Sequence, residues 1–288
     1  MIDTNILVIG NGFDLAHGLP TRYMDFMDYL SMAKTLYKNK TDPSAHPNQT
    51  TIEGYINSQY TDVDTTLRNN LIGKYDRKWI NSFPRQLSRV FSEKNCWYKY
   101  FDYLIYKKQL KGVNWIDFEA EISKVVQKIE HSPVVEEDRF KSMTNVQLYQ
   151  IDRGVHEEIL LNFMNAITYT FKTNEFNSFV AQLEKDLSDF INALDYYIAF
   201  IDGFSVEKRV TDIQEIDVDK VISFNYTDTY RRLYYPDMPD ERIHFIHGKA
   251  NRTLGDSASK LVLGTNDTLS NQEKDSNISC LKFTAADW

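Results

Sequence analysis

Three short stretches of the chain hold residue types that can cradle a phosphate and move a proton. The first, "NILVIGNGFDLAHGLP" (residues 5–20), ends an apolar run at Gly10 and uses Gly10, Gly12 and Gly18 within nine residues. Glycine lets a backbone turn tightly and approach a ligand, and the helix start that follows offers free N–H groups to an anion. Gly10, Asn11 and Gly12 are the expected phosphate-binding turn. The second stretch, "SFNYTDT" (223–229), sets Asn225 at a strand end and Asp228 three residues on. An asparagine amide can hold a carboxamide or position a water, and an aspartate can accept an amide N–H. The third, "HFIHGK" (244–249), puts His247 at a strand end before Gly248, a place suited to acid–base work. "LVLGTND" (261–267) adds Gly264, Thr265, Asn266 and Asp267 at a fourth edge.

Each stretch also has a plainer reading. The spacing is neither G-x-G-x-x-G nor a P-loop, because the third glycine comes six residues after the second and no Gly-Lys-Ser/Thr follows. A tight strand-to-helix turn without a ligand would use the same residues. Asp14 repels a pyrophosphate, so it either accepts hydrogen bonds from ribose hydroxyls or caps its own helix. His17 either reaches a ligand or packs in the loop. Asn225 and Asp228 can close an Asx-turn. His244 lies three residues before His247, on the opposite face of a strand, so the two are a poor metal pair. What favours chemistry is convergence: five of the 11 glycines (Gly10, Gly12, Gly18, Gly248 and Gly264) fall at proposed strand ends.

These residues need a scaffold that brings strand ends together. Residues 5–10 read as a short buried strand. Residues 21–37 read as a helix capped by Thr21, with Tyr23, Phe26, Met27 and Leu30 at helical spacing and Pro20 stiffening its entry. The polar stretch 38–62 carries Pro43 and Pro47 and reads as a loop. Three helices follow: one capped by Asn114 with Trp115, Phe118, Ile122, Val125, Val126 and Ile129 on one face, one over 148–167, and one over 176–198. A charged stretch at 205–219 precedes "KVISFNYTD", "RIHFIHGKA" and "KLVLGTND", three apolar runs that read as parallel strands. The expected fold is therefore a Rossmann-like three-layer α/β domain with a parallel sheet. Residues 1–30 and 205–288 would form its core, and 31–204 a large helical insertion.

Composition sets outer bounds. With 42% hydrophobic and 14% aromatic residues, the 288-residue chain can bury a sizeable core. No apolar run approaches the roughly 18 residues of a membrane span. Two cysteines, Cys96 and Cys280, cannot make a four-cysteine zinc site and suit a reducing compartment, so a cytoplasmic location is expected. A net charge of −8, with no basic stripe, argues against nucleic acid as a partner. No clustered Asp/Glu/His metal signature is present, so no metal is expected.

Taken together, "ILVIGNGFDLAHGLPTRY", "WIDFEAEI", "ISFNYTDT", "IHFIHGK" and "LVLGTND" resemble, in that order, the AbiH family of bacteriophage abortive-infection proteins. "GNGFDLAHGLP" is also similar to the sirtuin-type NAD-binding segment, with Gly10, Gly12, Gly18, Leu19 and Pro20 matching its pattern. On that similarity Asn225 stands for the asparagine of an N-x-D segment and His247 for the histidine of an H-G segment, which serve NAD cleavage in sirtuin-like defence enzymes. Asp14 departs from the pattern by replacing a small serine, and Thr227 by occupying the place of the N-x-D acid.

The resemblance implies phage defence by hydrolysis of NAD at its nicotinamide–ribose bond. Asn225 and His247 would be catalytic. Gly10, Asn11, Gly12, Phe13, Asp14, Gly18, Pro20, Asp228, Gly264 and Thr265 would bind the nucleotide, and Glu119 could close the site. A phage-derived trigger and a homo-oligomer fit the same picture. A nucleotide-binding sensor without chemistry is the alternative, and a nuclease toxin a weaker one.

Overall fold

The strand Ile6–Ile9 (β1) opens a three-stranded parallel sheet whose other members lie more than 200 residues away. The computed structural model describes residues 4–41, 52–74, 87, 90, 95–105, 118–130, 134–135, 171–250 and 259–263. Their helices are α1 (Asn11–Ala16), α2 (Tyr23–Thr41), α3 (Ile52–Gln59), α4 (Thr65–Lys74), α5 (Cys96–Tyr103), α6 (Phe118–Glu130), α7 (Thr173–Asp202) and α8 (Thr229–Tyr234). A two-residue parallel pair, β2 (Val134–Val135) with β3 (Phe171–Lys172), stands apart from the main sheet. The main sheet continues with β4 (Lys220–Ser223) and β5 (Ile243–Phe245), in the order β1–β4–β5. The chain is thus a mixed α/β protein with a small parallel sheet and many helices.

Two compact units are present. The first draws on Met1–Phe91 and Ile191–Val262, the second on Ser92–Val113 and Asp117–Phe190. In the first, Ile9 and Val221 point into a core with Phe13 of α1, Tyr230 and Tyr234 of α8, Val218 and Met238. Burial alternates along β1: Ile9 is buried, while Ile6 and Val8 on the other face are exposed. Beside this core, α2 packs against α3 and α4 through Phe26, Leu30, Ile56, Leu67 and Leu71. Tyr197 of α7 stacks near Phe26 and Tyr29, and its hydroxyl donates to the Pro20 carbonyl.

In the second unit, Trp97 and Phe101 of α5 meet Phe118 of α6 and the first part of α7. The expected helix face is realised at Phe118, Ile122 and Val125, all buried. Asn95 caps α5 by accepting from the Tyr98 N–H at 2.9 Å, and its amide donates to the Asp186 carbonyl at 2.7 Å. Cys96 is buried, which pushes its thiol pKa up and keeps it unreactive.

Several sequence expectations need correction. Thr21 does not cap α2. The Asp25 carboxylate accepts from the Arg22 N–H at 2.9 Å instead, the reach-back half of a capping box. Residues 38–62 are not one loop, because α2 runs on to Thr41 and Ile52–Gln59 forms α3. β4 and β5 are shorter than the apolar runs that announced them. Residues 259–263 make no strand: Ser259 and Leu261 give their backbone N–H groups to Asn192 and to the Ser259 hydroxyl. The expected helix at 148–167, Asn114, Trp115 and residues 264–288 lie outside the described residues.

Replacing Tyr197 by Phe leaves a buried carbonyl at Pro20 without its donor. A loss of about 1–2 kcal/mol is expected, read as a lower midpoint in urea unfolding with an unchanged m-value.

Candidate functional site

Parallel pairing makes the three strands end together. Ile9 lies opposite Ser223, and Ser223 opposite Phe245. The ladder runs one residue further: the Phe224 N–H donates to the Ile9 carbonyl and the Ile246 N–H to the Ser223 carbonyl, each at 2.9 Å. Gly10, Asn225 and His247 therefore leave the same edge of the sheet, with the β4 loop between the other two. Two strand spacings, about 10 Å, separate the outer loops.

The glycines of the first loop fall into two kinds. Gly18 has φ +79°, a conformation few other residues accept, and a Cβ there would sit 3.1 Å from the Arg209 guanidinium. It serves the turn. Gly10 is extended, with φ −136° and ψ −174°, and a Cβ at Gly10 or Gly12 would meet nothing within 4 Å. Neither conformation nor packing against the described residues requires glycine at those two positions, and the space in front of them is open. Asn11 beside them is half-buried. Phe13 faces the core, and Pro20 is buried with its carbonyl taken by Tyr197.

His17 packs in the loop. It is 1% exposed, with Nδ1 2.7 Å from the Phe13 carbonyl and Nε2 2.8 Å from the Tyr234 hydroxyl. A carbonyl only accepts, so neutral His17 carries its proton on Nδ1 and receives the tyrosine proton at Nε2. Tyr234 in turn accepts from the Val210 N–H at 3.1 Å.

Asp14 ties the first loop to the second. It is buried, and its Oδ2 accepts from Thr227 Oγ1 at 2.5 Å, while Thr229 Oγ1 donates to Thr227 at 3.0 Å. Burial raises the Asp14 pKa, and the threonine hydroxyls oppose the rise. Its Oδ1 is buried and has no hydrogen-bond partner among the described residues. A hydroxyl of the second loop and a carboxylate of the first are thus in contact. Asp202, at the end of α7, is also raised by burial, with Arg232 Nη1 3.6 Å away opposing it.

Asn225 is the least satisfied side chain of the site. It is 4% exposed, and neither its Oδ1 nor its Nδ2 has a hydrogen-bond partner among the described residues. Only its backbone is anchored, with the N–H donating to Ser223 Oγ at 3.1 Å. His247 is half-buried, with its ring near those of Phe224 (5.8 Å) and Tyr226 (6.0 Å). Burial lowers its pKa, so the imidazole is neutral at pH 7 and able to accept a proton.

Asp228 is committed to the protein: its Oδ2 accepts from Arg231 Nη2 at 2.5 Å and from Lys249 Nζ at 2.6 Å. Glu119 belongs to the second unit. Gly264 and Thr265 lie outside the described residues. Among the described residues no group of three or more His, Cys, Asp or Glu side chains has metal-binding geometry. No helix among them is long and apolar enough to cross a membrane. Thr229, Asp202 and Arg232 carry no sequence signal of their own. Only the fold brings them to this edge.

A family model described as bacteriophage abortive infection AbiH matches residues 6–285. The chain belongs to the AbiH family. Membership implies a part in abortive infection, and the motifs of this AbiH-family protein at β1, β4 and β5 all fall on one sheet edge. No curated protein matches the chain, and no solved structure does.

Asp14→Asn keeps an acceptor for Thr227 and removes a buried carboxylate. The raised pKa means that folded Asp14 holds its proton more tightly than unfolded Asp14, so wild-type stability falls as pH rises above the ordinary 3.8. The variant should melt higher than wild type at pH 7.5, with the gain shrinking at pH 4. Thermal unfolding at both pH values checks this, and a lower melting temperature at both would mean that Thr227 needs the charge.

Proposed function

We propose that this AbiH-family protein defends against phage by hydrolysing NAD at the nicotinamide–ribose bond, with the dinucleotide lying across the C-terminal edge of β1, β4 and β5. On this reading the sheet is the core of a Rossmann-like, sirtuin-like domain. The observation that carries the proposal is Asn225, whose amide is buried with both ends unpaired among the described residues. Leaving a buried donor and acceptor unmade costs about 1–3 kcal/mol each, which a folded protein rarely tolerates without a use. A carboxamide or a bound water offers the matching acceptor and donor. The open space before Gly10 and Gly12 supports the same reading, as room for the phosphates.

The chemistry asks little of the protein. The carbon–nitrogen bond breaks as a water oxygen bonds to the ribose carbon, and nicotinamide leaves as a neutral molecule. His247 takes the water's proton and passes it to solvent. Asn225 orients the water or the leaving carboxamide, and Asp14, with Thr227, faces the ribose. Positioning and charge stabilisation supply the rate, and a neutral leaving group needs no metal.

Asn225 would serve a nucleotide sensor equally well, so the test must read bond cleavage. Phage infection of cells that express the wild-type chain should lower cellular NAD and raise free nicotinamide. Asn225→Ala and His247→Ala should reduce that release by about 100-fold or more. With purified protein the rate should rise with pH as His247 loses its proton, with its midpoint below the ordinary 6.5. Protection against phage with NAD levels unchanged would overturn the proposal in favour of a sensor.

A further inference from the structure

The turn that presents His247 leans on another piece of chain. The Val262 N–H donates to the His247 carbonyl at 3.0 Å. Gly248, with φ +79°, lets residue 260 lie against that turn: a Cβ on Gly248 would stand 2.4 Å from the Lys260 carbonyl oxygen. Tyr226, one of the rings beside the imidazole, donates its hydroxyl proton to the Val262 carbonyl at 3.3 Å. Its own carbonyl accepts from the Ala250 N–H at 2.9 Å. Residues 259–262 therefore hold His247 from two sides, through its backbone and through its aromatic neighbour.

That strap is fixed at Ser259. The Ser259 N–H donates to Asn192 Oδ1 at 3.0 Å, and its hydroxyl donates to Asp195 Oδ2 at 2.7 Å. The same hydroxyl accepts from the Leu261 N–H at 3.1 Å. Asn192 and Asp195 lie on α7 and are buried, as is Leu261. One hydroxyl thus joins a rigid helix to the segment that carries the His247 contact. A serine that only closed a turn would not need a buried carboxylate on another element as the acceptor for its hydroxyl.

We propose that Ser259, clamped on Asn192 and Asp195, is a positioning residue that sets the place of the His247 imidazole. This rests on the reading in which His247 acts on bound nucleotide. The clamp acts through geometry: without it, residues 260–262 lose their anchor and the His247 turn gains freedom.

The test compares Ser259→Ala with Ser259→Thr, which keeps the hydroxyl, and with Tyr60→Phe. The last gives up hydroxyl contacts with Ser31 and Thr35 in the helical layer and controls for simple loss of stability. In ring-labelled protein, Ser259→Ala should shift and broaden the His247 imidazole signals and leave those of His244 in place. Nicotinamide release should fall about tenfold in kcat with KM within twofold, the scale of a small misplacement of a reacting group. Ser259→Thr should restore both, and Tyr60→Phe should change neither. Unaltered His247 signals in Ser259→Ala would overturn the inference, as would equal changes in Tyr60→Phe. A wild-type protein that releases no nicotinamide would count against the proposed reaction alone, since the imidazole signals still decide whether Ser259 positions His247.

Discussion

A single buried hydrogen bond, from Thr227 to Asp14, joins the loop after the first strand to the loop after the fourth. The partners are 213 residues apart in the chain. Sheet pairing alone brings the strand ends level, but it does not dictate how the loops fold above them. The carboxylate does, because an ionisable group this deeply buried must be paired or protonated. With Thr229 behind Thr227, the start of α8 is drawn to the same point. Asn225 lies two residues before Thr227 and is held by that arrangement without making any side-chain bond itself.

The site divides its polar groups between two tasks. His17 and Tyr234 hold loops together, and so does one oxygen of Asp228. Among the described residues, both amide ends of Asn225 and one oxygen each of Asp14 and Asp228 are buried with no hydrogen-bond partner. Such atoms are unfavourable in a folded chain unless something outside it completes them. The same contrast holds among the glycines. Gly18 and Gly248 are required by their backbone, whereas Gly10 and Gly12 face empty space.

Much of this was legible in the sequence, for identifiable reasons. A short β-branched run ended by glycine gave β1 and its turn. The long 3.6-residue period of Val180, Leu183, Leu187, Phe190, Leu194 and Ile198 gave α7, whose buried face matches it. Strand ends carrying Asn225 and His247 were legible because apolar runs stop there. The contacts between motifs were not. Thr227 read as a spacing anomaly, and only its pairing with Asp14 gives it a role. Residues 260–263 read as a strand because apolar alternation does not reveal that the Ser259 N–H is taken by Asn192 of α7 and the Leu261 N–H by the Ser259 hydroxyl. Prolines at 43 and 47 hid α3, which begins only at Ile52. Asp25 outcompeted Thr21 as a cap because local sequence offers both and only the backbone path selects one.

Among the described residues, β1 has a neighbour on one side only, and that neighbour is β4. During synthesis β1 leaves the ribosome more than 200 residues ahead of it. At 5–20 residues per second the wait is roughly 10 to 40 seconds. Through that interval Ile6, Leu7, Val8 and Ile9 are an apolar strand with unmet backbone groups, the kind of segment that chaperones hold. Until β4 arrives, the backbone groups that β1 will pair with it have only water as a partner.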